Sequence, residues 1–165
     1  MTPQMVRHEL EPVFDAQSRV LILGTIPSPK SREYGFYYSH PQNRLWKVLS
    51  AVLGETAPET REEREAFLHA HHLAMWDVLA SCEIRGADDS SIVAPKPNDI
   101  NVILNAADIG AVFTTGKKAT DLYRKLCYPH TGRPSVYLPS TSPANCRSYT
   151  EESLTEAYRV IRDYL

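Results

Sequence analysis

A short, uninterrupted apolar segment constrains the fold of this chain most strongly. Residues 19–23 read Arg-Val-Leu-Ile-Leu and are followed at once by Gly24. An apolar run of this length, without polar alternation, is typical of a strand that is buried on both faces of a sheet. Such strands belong mainly to parallel sheets covered by helices on both sides, so the segment predicts an α/β protein.

Further strand-like and helical segments alternate along the chain. The other predicted strands are residues 73–79, 110–114 and 135–138. The predicted helices are residues 43–53, 60–71, 98–105 (with Asn98 as N-cap) and 116–126, and a last helix that Thr150 caps. Residues 25–42 are expected to form a loop, and residues 81–97 a long irregular stretch. This order predicts one domain over residues 1–165, a three-layer α/β/α sandwich around a central, mainly parallel four-stranded sheet.

Composition places the chain among ordinary globular proteins. Its 165 residues suffice for one sizeable core, and its net charge of −2 argues against coating nucleic acid electrostatically. Cys82, Cys127 and Cys146 form no C-x-x-C pair, which is typical of free thiols in a reducing cytosol, so we expect a cytoplasmic protein. No apolar run approaches the roughly 20 residues that span a bilayer, and no secretory signal is evident, so we expect no membrane association.

Two polar loops follow the first and the last predicted strand. The first begins with Gly-Thr-Ile-Pro-Ser at residues 24–28, and the second is Leu-Pro-Ser-Thr-Ser-Pro-Ala-Asn at residues 138–145. Because ligands of parallel α/β sheets bind beyond the carboxyl ends of the strands, the two loops are predicted to form one site.

These loops resemble the motifs of the uracil-DNA glycosylase superfamily, and most closely those of its hypoxanthine-DNA (deoxyinosine) glycosylase branch. The mismatch-specific uracil glycosylases carry G-I-N-P-G, then G-F-x-F-x-H-P-x-N-R-F-W, then L-P-N-P-S. The corresponding segments here are GTIPS at 24–28, GFYYSHPQNRLW at 35–46 and LPSTS at 138–142. The resemblance implies a monofunctional base excision repair enzyme, expected to be monomeric, that flips a deaminated base out of DNA and hydrolyses its N-glycosidic bond. It implies neither a metal ion nor a cofactor.

Two departures from the motifs favour hypoxanthine as the excised base. Ile26 stands where the uracil-excising relatives have an asparagine that helps to hold the hydrolytic water, and its side chain cannot hydrogen-bond a water. Leu138 stands where the most active uracil enzymes have a histidine. The deoxyinosine branch relies instead on the asparagine of H-P-x-N-R, which makes Asn43 the predicted catalytic residue.

The resemblance also implies roles for the remaining motif residues. Tyr38 matches the aromatic residue on which relatives stack the extruded base. The other predicted base-binding residues are Gly24, Thr25, Ile26, Pro27, Ser28, Phe36 and His40, and the predicted DNA-binding residues are Lys30, Ser140, Ser142, Asn145 and Arg147. In relatives, a residue of the second loop enters the duplex and fills the space that the flipped base has left. Ala144 lies in that loop here, and its side chain is small for this role.

Alternatives remain open at this stage. The same fold could act on uracil or xanthine, or could bind damaged nucleic acid without cleaving it. Asp77 could serve as a general base, although a carboxylate after a strand is more often a helix cap or an ion-pair partner. His69, His71 and His72 could suggest a metal site, but imidazoles are also favoured where a helix ends.

Overall fold

The computed structural model describes residues 2–165 and contains seven strands and seven α-helices over that range. The strands are β1 (Gln4–Arg7), β2 (Val20–Gly24), β3 (Leu73–Asp77), β4 (Leu79–Arg85), β5 (Asp88–Pro97), β6 (Ala111–Thr115) and β7 (Ser135–Leu138). The helices are α1 (Pro29–Tyr34), α2 (Leu45–Leu53), α3 (Arg61–Ala70), α4 (Asn101–Leu104), α5 (Lys117–Leu122), α6 (Tyr128–Thr131) and α7 (Glu151–Tyr158). A π-helix, Tyr123–Cys127, joins α5 to α6, and 3₁₀ segments cover Pro143–Asn145 and Arg159–Tyr164.

The central sheet has the strand order β3-β2-β6-β7, and all three pairings are parallel. Every residue of β2 is buried, as the apolar run predicts. Because side chains alternate along a strand, Val20 and Ile22 enter one core and Leu21 and Leu23 the other. The predicted α/β/α sandwich with a parallel four-stranded sheet is therefore confirmed.

Helices and a second sheet cover the two faces of the central sheet. The face of Ile22 packs against apolar residues of α2, α3 and α7, among them Leu49, Leu68 and Leu154. The face of Leu23 packs against residues of α4, α5 and the second sheet, including Ile103. Thr150 caps α7 in a capping box, as predicted.

A three-stranded antiparallel sheet, ordered β1-β4-β5, is the main feature that the sequence prediction missed. The prediction of an irregular stretch over residues 81–97 is wrong, because β4 and β5 form a hairpin there. Register shifts interrupt the hairpin, and β5 is largely exposed, so no regular apolar period marks it. This hairpin brings its tip to one edge of the site described below.

Several smaller predictions also need correction. The predicted loop 25–42 contains the helix α1, which Ser28 caps. Asn98 is not an N-cap: its side chain donates to the carbonyls of Asp77 and Leu79, at 3.0 and 3.1 Å, and Ile100 precedes α4. The helix predicted over residues 116–126 is α5 followed by the π-helix. Within residues 2–165, no helix combines the length and apolar character needed to cross a membrane.

Candidate active site

The two polar loops meet at one cavity at the carboxyl ends of the parallel strands. The cavity has a volume of about 310 Å³, which lies in the range of ligand pockets. Its walls include Gly24, Thr25, Ile26, Pro27, Ser28, Tyr38, His40, Asn43, Ser140, Thr141 and Ser142. A larger cleft of about 730 Å³ lies between the N-terminal segment and residues of α1 and α3, and it contains none of these residues. We therefore place the candidate active site in the smaller cavity.

Asn43 lies in the cavity wall just before α2, with its amide orientation fixed by two donors. Its Oδ1 accepts a hydrogen bond from the backbone N–H of Leu45 at 3.0 Å and from the hydroxyl of Thr141 at 2.8 Å. An amide oxygen has two lone pairs, so both are engaged. Among residues 2–165, none accepts a hydrogen bond from Nδ2. The amide therefore presents its NH₂ group, a donor, to the cavity.

Hydrogen bonds to backbone carbonyls hold the second loop and the residues after it in place beside the start of α2. The N–H of Arg44 donates to the carbonyl of Thr141 at 3.2 Å, and the Arg44 guanidinium donates to the carbonyl of Tyr149. At the beginning of the loop, the buried hydroxyl of Tyr158 donates to the carbonyl of Pro139 at 2.6 Å. These contacts fix the position of Thr141 relative to Asn43.

Tyr38 is held in the cavity wall by strained backbone and by two hydrogen bonds. Its φ of 52° lies in the left-handed region, which is uncommon for a residue with a side chain. Its hydroxyl lies 3.1 Å from Oγ1 of Thr115, and its carbonyl accepts from Nε1 of Trp46 at 3.2 Å. Burial raises the pKa of Tyr38 well above its ordinary value, and the nearby carboxylate of Asp77 raises it further. The phenol is therefore neutral at physiological pH.

Gly24 allows two side chains to approach the end of β2. A Cβ atom added to Gly24 would lie 2.5 Å from Oδ1 of Asp77 and 2.9 Å from the hydroxyl of Tyr38. Both distances are shorter than real Cβ contacts. The absence of a side chain at residue 24 is what lets Asp77 and Tyr38 share this part of the cavity.

Asp77 ends β3 and is a buried hydrogen-bond partner of a histidine rather than a helix cap. It is 4% exposed and lines the cavity. Its Oδ2 lies 2.8 Å from Nε2 of His8, a residue that follows β1. No sequence motif identifies His8, and the signal for this contact lies only in the pairing of β1 with β4.

The β4–β5 hairpin supplies cavity residues that the sequence analysis did not identify. They are Ile84, Gly86, Ala87 and Asp89. Asp89 is exposed as a residue, but its carboxylate is turned toward the cavity wall, where the hydroxyl of Thr25 approaches Oδ2 at 3.5 Å. Partial removal from water raises the pKa of Asp89 above its ordinary value.

The rim of the cavity carries three predicted site residues with further hydrogen-bonding capacity. Nδ1 of His40 accepts from the N–H of Gln42 at 3.1 Å, so the neutral imidazole carries its proton on Nε2. Oγ of Ser140 accepts from the N–H of Ser142 at 3.1 Å. Oγ of Ser142 likewise accepts from the N–H of Ala144 at 3.3 Å. The hydroxyls of Ser140 and Ser142 therefore each keep a proton that can be donated to a phosphate or a base.

Four predicted site residues do not line the cavity. Phe36 is buried in the core and stacks on Trp46, with ring centroids 6.1 Å apart. Lys30 is exposed on α1 and pairs with Glu33. The remaining two lie in the second loop: Asn145 donates to the carbonyl of Ser140, and Arg147 is exposed.

The histidines that could suggest a metal site form separate contacts. His69 lies 3.0 Å from Asp15, and His71 lies 3.4 Å from Glu55. Over residues 2–165, no group of three or more His, Cys, Asp or Glu side chains has an arrangement that could hold a metal ion.

A parallel α/β sheet with a cavity between loops at the carboxyl ends of its strands defines a class of proteins that bind small ligands at that edge. The sequence-family model of the uracil DNA glycosylase superfamily matches residues 11–165 of this chain. The chain belongs to that superfamily.

Similar proteins occur in two Methanosarcina species. The hypoxanthine DNA glycosylase of Methanosarcina barkeri is 29% identical over 146 residues, which cover 87% of this chain and 91% of that protein. The protein of the same name from Methanosarcina acetivorans is 30% identical over 156 residues, 93% of this chain and 98% of that protein. A solution NMR structure of a M. acetivorans protein assigned to the uracil DNA glycosylases superposes with a TM-score of 0.80 at 25% identity, covering 96% of this chain and 99% of that one.

Proposed function

We propose that this protein is a monofunctional DNA glycosylase that removes hypoxanthine from DNA by hydrolysing the N-glycosidic bond of deoxyinosine. The superfamily membership and the two relatives named for this activity support the proposal. The proposal includes DNA as the substrate and a monomeric enzyme acting in the cytoplasm as one domain.

The observation that carries the proposal is the orientation of the Asn43 amide. Glycosidic hydrolysis places positive charge on the sugar and negative charge on the departing base, so a fixed donor near the base stabilises the transition state. Because both lone pairs of Asn43 Oδ1 are engaged, Asn43 acts through its NH₂ group. It donates to the departing base, or to the oxygen of the attacking water, and it does not act as a general base.

The cavity wall supports the choice of base. Ile26 lines the cavity where a water-holding asparagine would favour uracil excision. The ring of Tyr38 offers a stacking surface for a purine, and stacking contributes about 1–3 kcal/mol per base. Ser140 and Ser142 line the cavity, and we expect their hydroxyls to contact the phosphate beside the flipped nucleotide.

Base release from defined duplexes tests the proposal. Purified protein with EDTA is incubated with duplexes that contain one deoxyinosine, deoxyuridine or deoxyxanthosine. We expect free hypoxanthine and an abasic site that is cleaved only after alkali treatment, with the deoxyinosine duplex processed fastest. Preferential release of uracil or xanthine would replace the assigned base, and tight binding to the deoxyinosine duplex without an abasic product would identify a binding module.

A further inference from the structure

Asp77 lines the cavity and contacts the buried His8 behind the cavity wall, a contact that the motifs do not account for. The side chains of His8 and Asp77 are 2% and 5% exposed, and their contact distance is 2.8 Å. His8 lies before residues 11–165, the region that the superfamily model matches. The N-terminal strand β1 brings it next to Asp77 by pairing with β4, and the N–H of His8 donates to the carbonyl of Ala80 at 2.7 Å.

The carboxylate of Asp77 is held rigidly, and one of its oxygens is free. A carboxylate accepts only, so Nε2 of His8 donates to Oδ2. Oδ1 lies over Cα of Gly24 in the cavity wall, and within the described residues 2–165 it receives no hydrogen bond. The carbonyl of Asp77 accepts from Asn98, and the next residue, Val78, donates to the carbonyl of Gly24. The free oxygen therefore has a fixed position.

A fixed acceptor of this kind distinguishes a deaminated purine from its parent. Deamination of adenine changes N1 from a lone-pair acceptor into an N–H donor. A carboxylate oxygen can accept from that N–H, whereas it repels the lone pair of adenine N1. A hydrogen bond to a charged group is stronger than one between neutral groups, and a polar partner left unpaired in a dry site is unfavourable.

We propose that Oδ1 of Asp77 accepts a hydrogen bond from the ring N–H of the flipped base, and that His8 is the positioning residue that holds Asp77 for this contact. This inference rests on the proposed glycosylase function. The hydrogen bond from His8 also draws charge from the carboxylate, which limits its repulsion of the negative charge that develops on the departing base.

The surroundings of His8 favour this role over a purely structural one. The ring of His8 packs between Tyr37 and Trp76, at centroid distances of 5.9 and 6.3 Å, in a setting that apolar side chains could fill. Replacing a buried ion pair by apolar residues is often neutral or stabilising. A contact that serves only packing also gives no reason for one carboxylate oxygen to face a cavity.

Two duplex substrates test the inference, and their bases differ at N1 and in the oxygen at C6, which only hypoxanthine carries. The contribution of that oxygen is common to all variants and cancels when each variant is compared with the wild type. One contains deoxyinosine, which has an N1–H, and the other contains 2′-deoxynebularine, whose N1 has only a lone pair. Single-turnover rates on both are measured for the wild type, Asp77→Asn, His8→Phe, His8→Gln and the control His69→Gln. His69 pairs with Asp15 and does not line the cavity. Taking the ratio of the two rates removes any uniform loss of activity.

We expect Asp77→Asn to raise the nebularine-to-inosine ratio at least tenfold, because an amide can donate to N1. His8→Phe should also raise the ratio above that of the wild type. His8→Gln, which keeps an N–H donor, should have a ratio near that of the wild type, and so should His69→Gln. Ratios that are unchanged in Asp77→Asn and His8→Phe, in an enzyme that releases hypoxanthine, would overturn the inference alone. A wild type that releases no hypoxanthine would instead overturn the proposed function.

A competition assay on the wild type avoids dependence on the folding of the variants. Free hypoxanthine should inhibit release at a concentration at least tenfold lower than free purine, which has no N–H at N1. Equal inhibition by the two free bases would contradict the inference even if both variants at residues 8 and 77 failed to fold.

Discussion

The hydroxyl of Thr141 donates to Oδ1 of Asn43 at 2.8 Å, across 98 residues of sequence. This contact joins the loop after β7 to the start of α2, and together with the N–H of Leu45 it fixes which end of the amide faces the cavity. The second loop thus has a function besides any contact with DNA. It orients the residue that we propose to be catalytic.

Thr141→Val tests this orientation. Valine has nearly the same shape as threonine but no hydroxyl, so the Asn43 amide loses one of its two fixed contacts. We expect the single-turnover rate on a deoxyinosine duplex to fall by about 10-fold, which corresponds to about 1.4 kcal/mol. Thr141→Ser should restore most of the rate.

Thr155→Val is the matched control for this substitution. Thr155 is also buried, but its hydroxyl donates to the carbonyl of Glu151 within α7. Thr155→Val should lower the stability of the protein without a specific effect on the single-turnover rate. Full activity of Thr141→Val would remove Thr141 from the positioning of Asn43.

Gly24→Ala should disable the site without unfolding the protein. The added Cβ atom would lie 2.5 Å from Oδ1 of Asp77 and 2.9 Å from the hydroxyl of Tyr38, so both side chains must move. We expect the rate to fall at least about tenfold, since small displacements of site groups cost large factors in rate. Gly110→Ala is the control because its Cβ would meet its nearest neighbour, the carbonyl of Arg19, at 3.6 Å. Equal rates for the two variants would contradict this explanation of Gly24.

Tyr38 variants separate the ring from the hydroxyl. Tyr38→Phe keeps the stacking face and loses only the contact with Thr115, so a loss of less than about tenfold is expected. Tyr38→Ala removes the ring as well, and the loss of stacking should weaken binding to the deoxyinosine duplex by about 5- to 150-fold. Binding is measured by fluorescence anisotropy with a catalytically inactive Asn43 variant as background. Similar affinities for Phe and Ala at residue 38 would show that the base does not stack there.

Asp89→Asn should stabilise the protein near neutral pH and have no effect in strong acid. The pKa of Asp89 is higher in the folded protein than its ordinary value of 3.8, so ionisation weakens the fold. Below the ordinary pKa the carboxyl is protonated in both states, and the penalty grows as pH rises through the folded pKa. Denaturant unfolding at pH 3 and pH 7 measures this dependence. A variant that is less stable than the wild type at pH 7 would show that the ionised carboxylate is favourable there.

The central sheet could be predicted from the sequence because its signals are local. The all-apolar run of β2 and the capping box at Thr150 depend only on neighbouring residues. The cavity residues in the motifs, such as Asn43 and Tyr38, were identified by resemblance, and the structure brings them to one cavity. Their chemical roles remain predictions.

The antiparallel sheet could not be predicted because its signals depend on pairing between distant segments. In β4, Cys82 and Ile84 are buried and Glu83 is exposed, a usable but short alternation. β5 is mostly exposed and contains two prolines, and its register shifts remove any period. Without this sheet, neither the placement of His8 nor the cavity contribution of Asp89 could be anticipated. Asn98 was misassigned for a related reason, since its partners are carbonyls at the end of β3 and the start of β4.

The central claim is that Asn43 acts through its NH₂ group, and Asn43→Asp tests it most directly. Aspartate keeps an oxygen that can accept from Leu45 and Thr141, so the start of α2 stays capped, but it has no donor for the cavity. Asn43→Ala, which also lacks the donor but adds no charge, separates the effect of the lost donor from that of the new carboxylate.

The deciding measurement is the single-turnover release of hypoxanthine from a deoxyinosine duplex in EDTA, with thermal unfolding recorded for each variant. We predict that Asn43→Asp folds like the wild type and that both variants lose activity by about 100-fold or more, the usual effect of removing a donor to developing charge. Release by Asn43→Asp at a rate near that of the wild type would contradict the account.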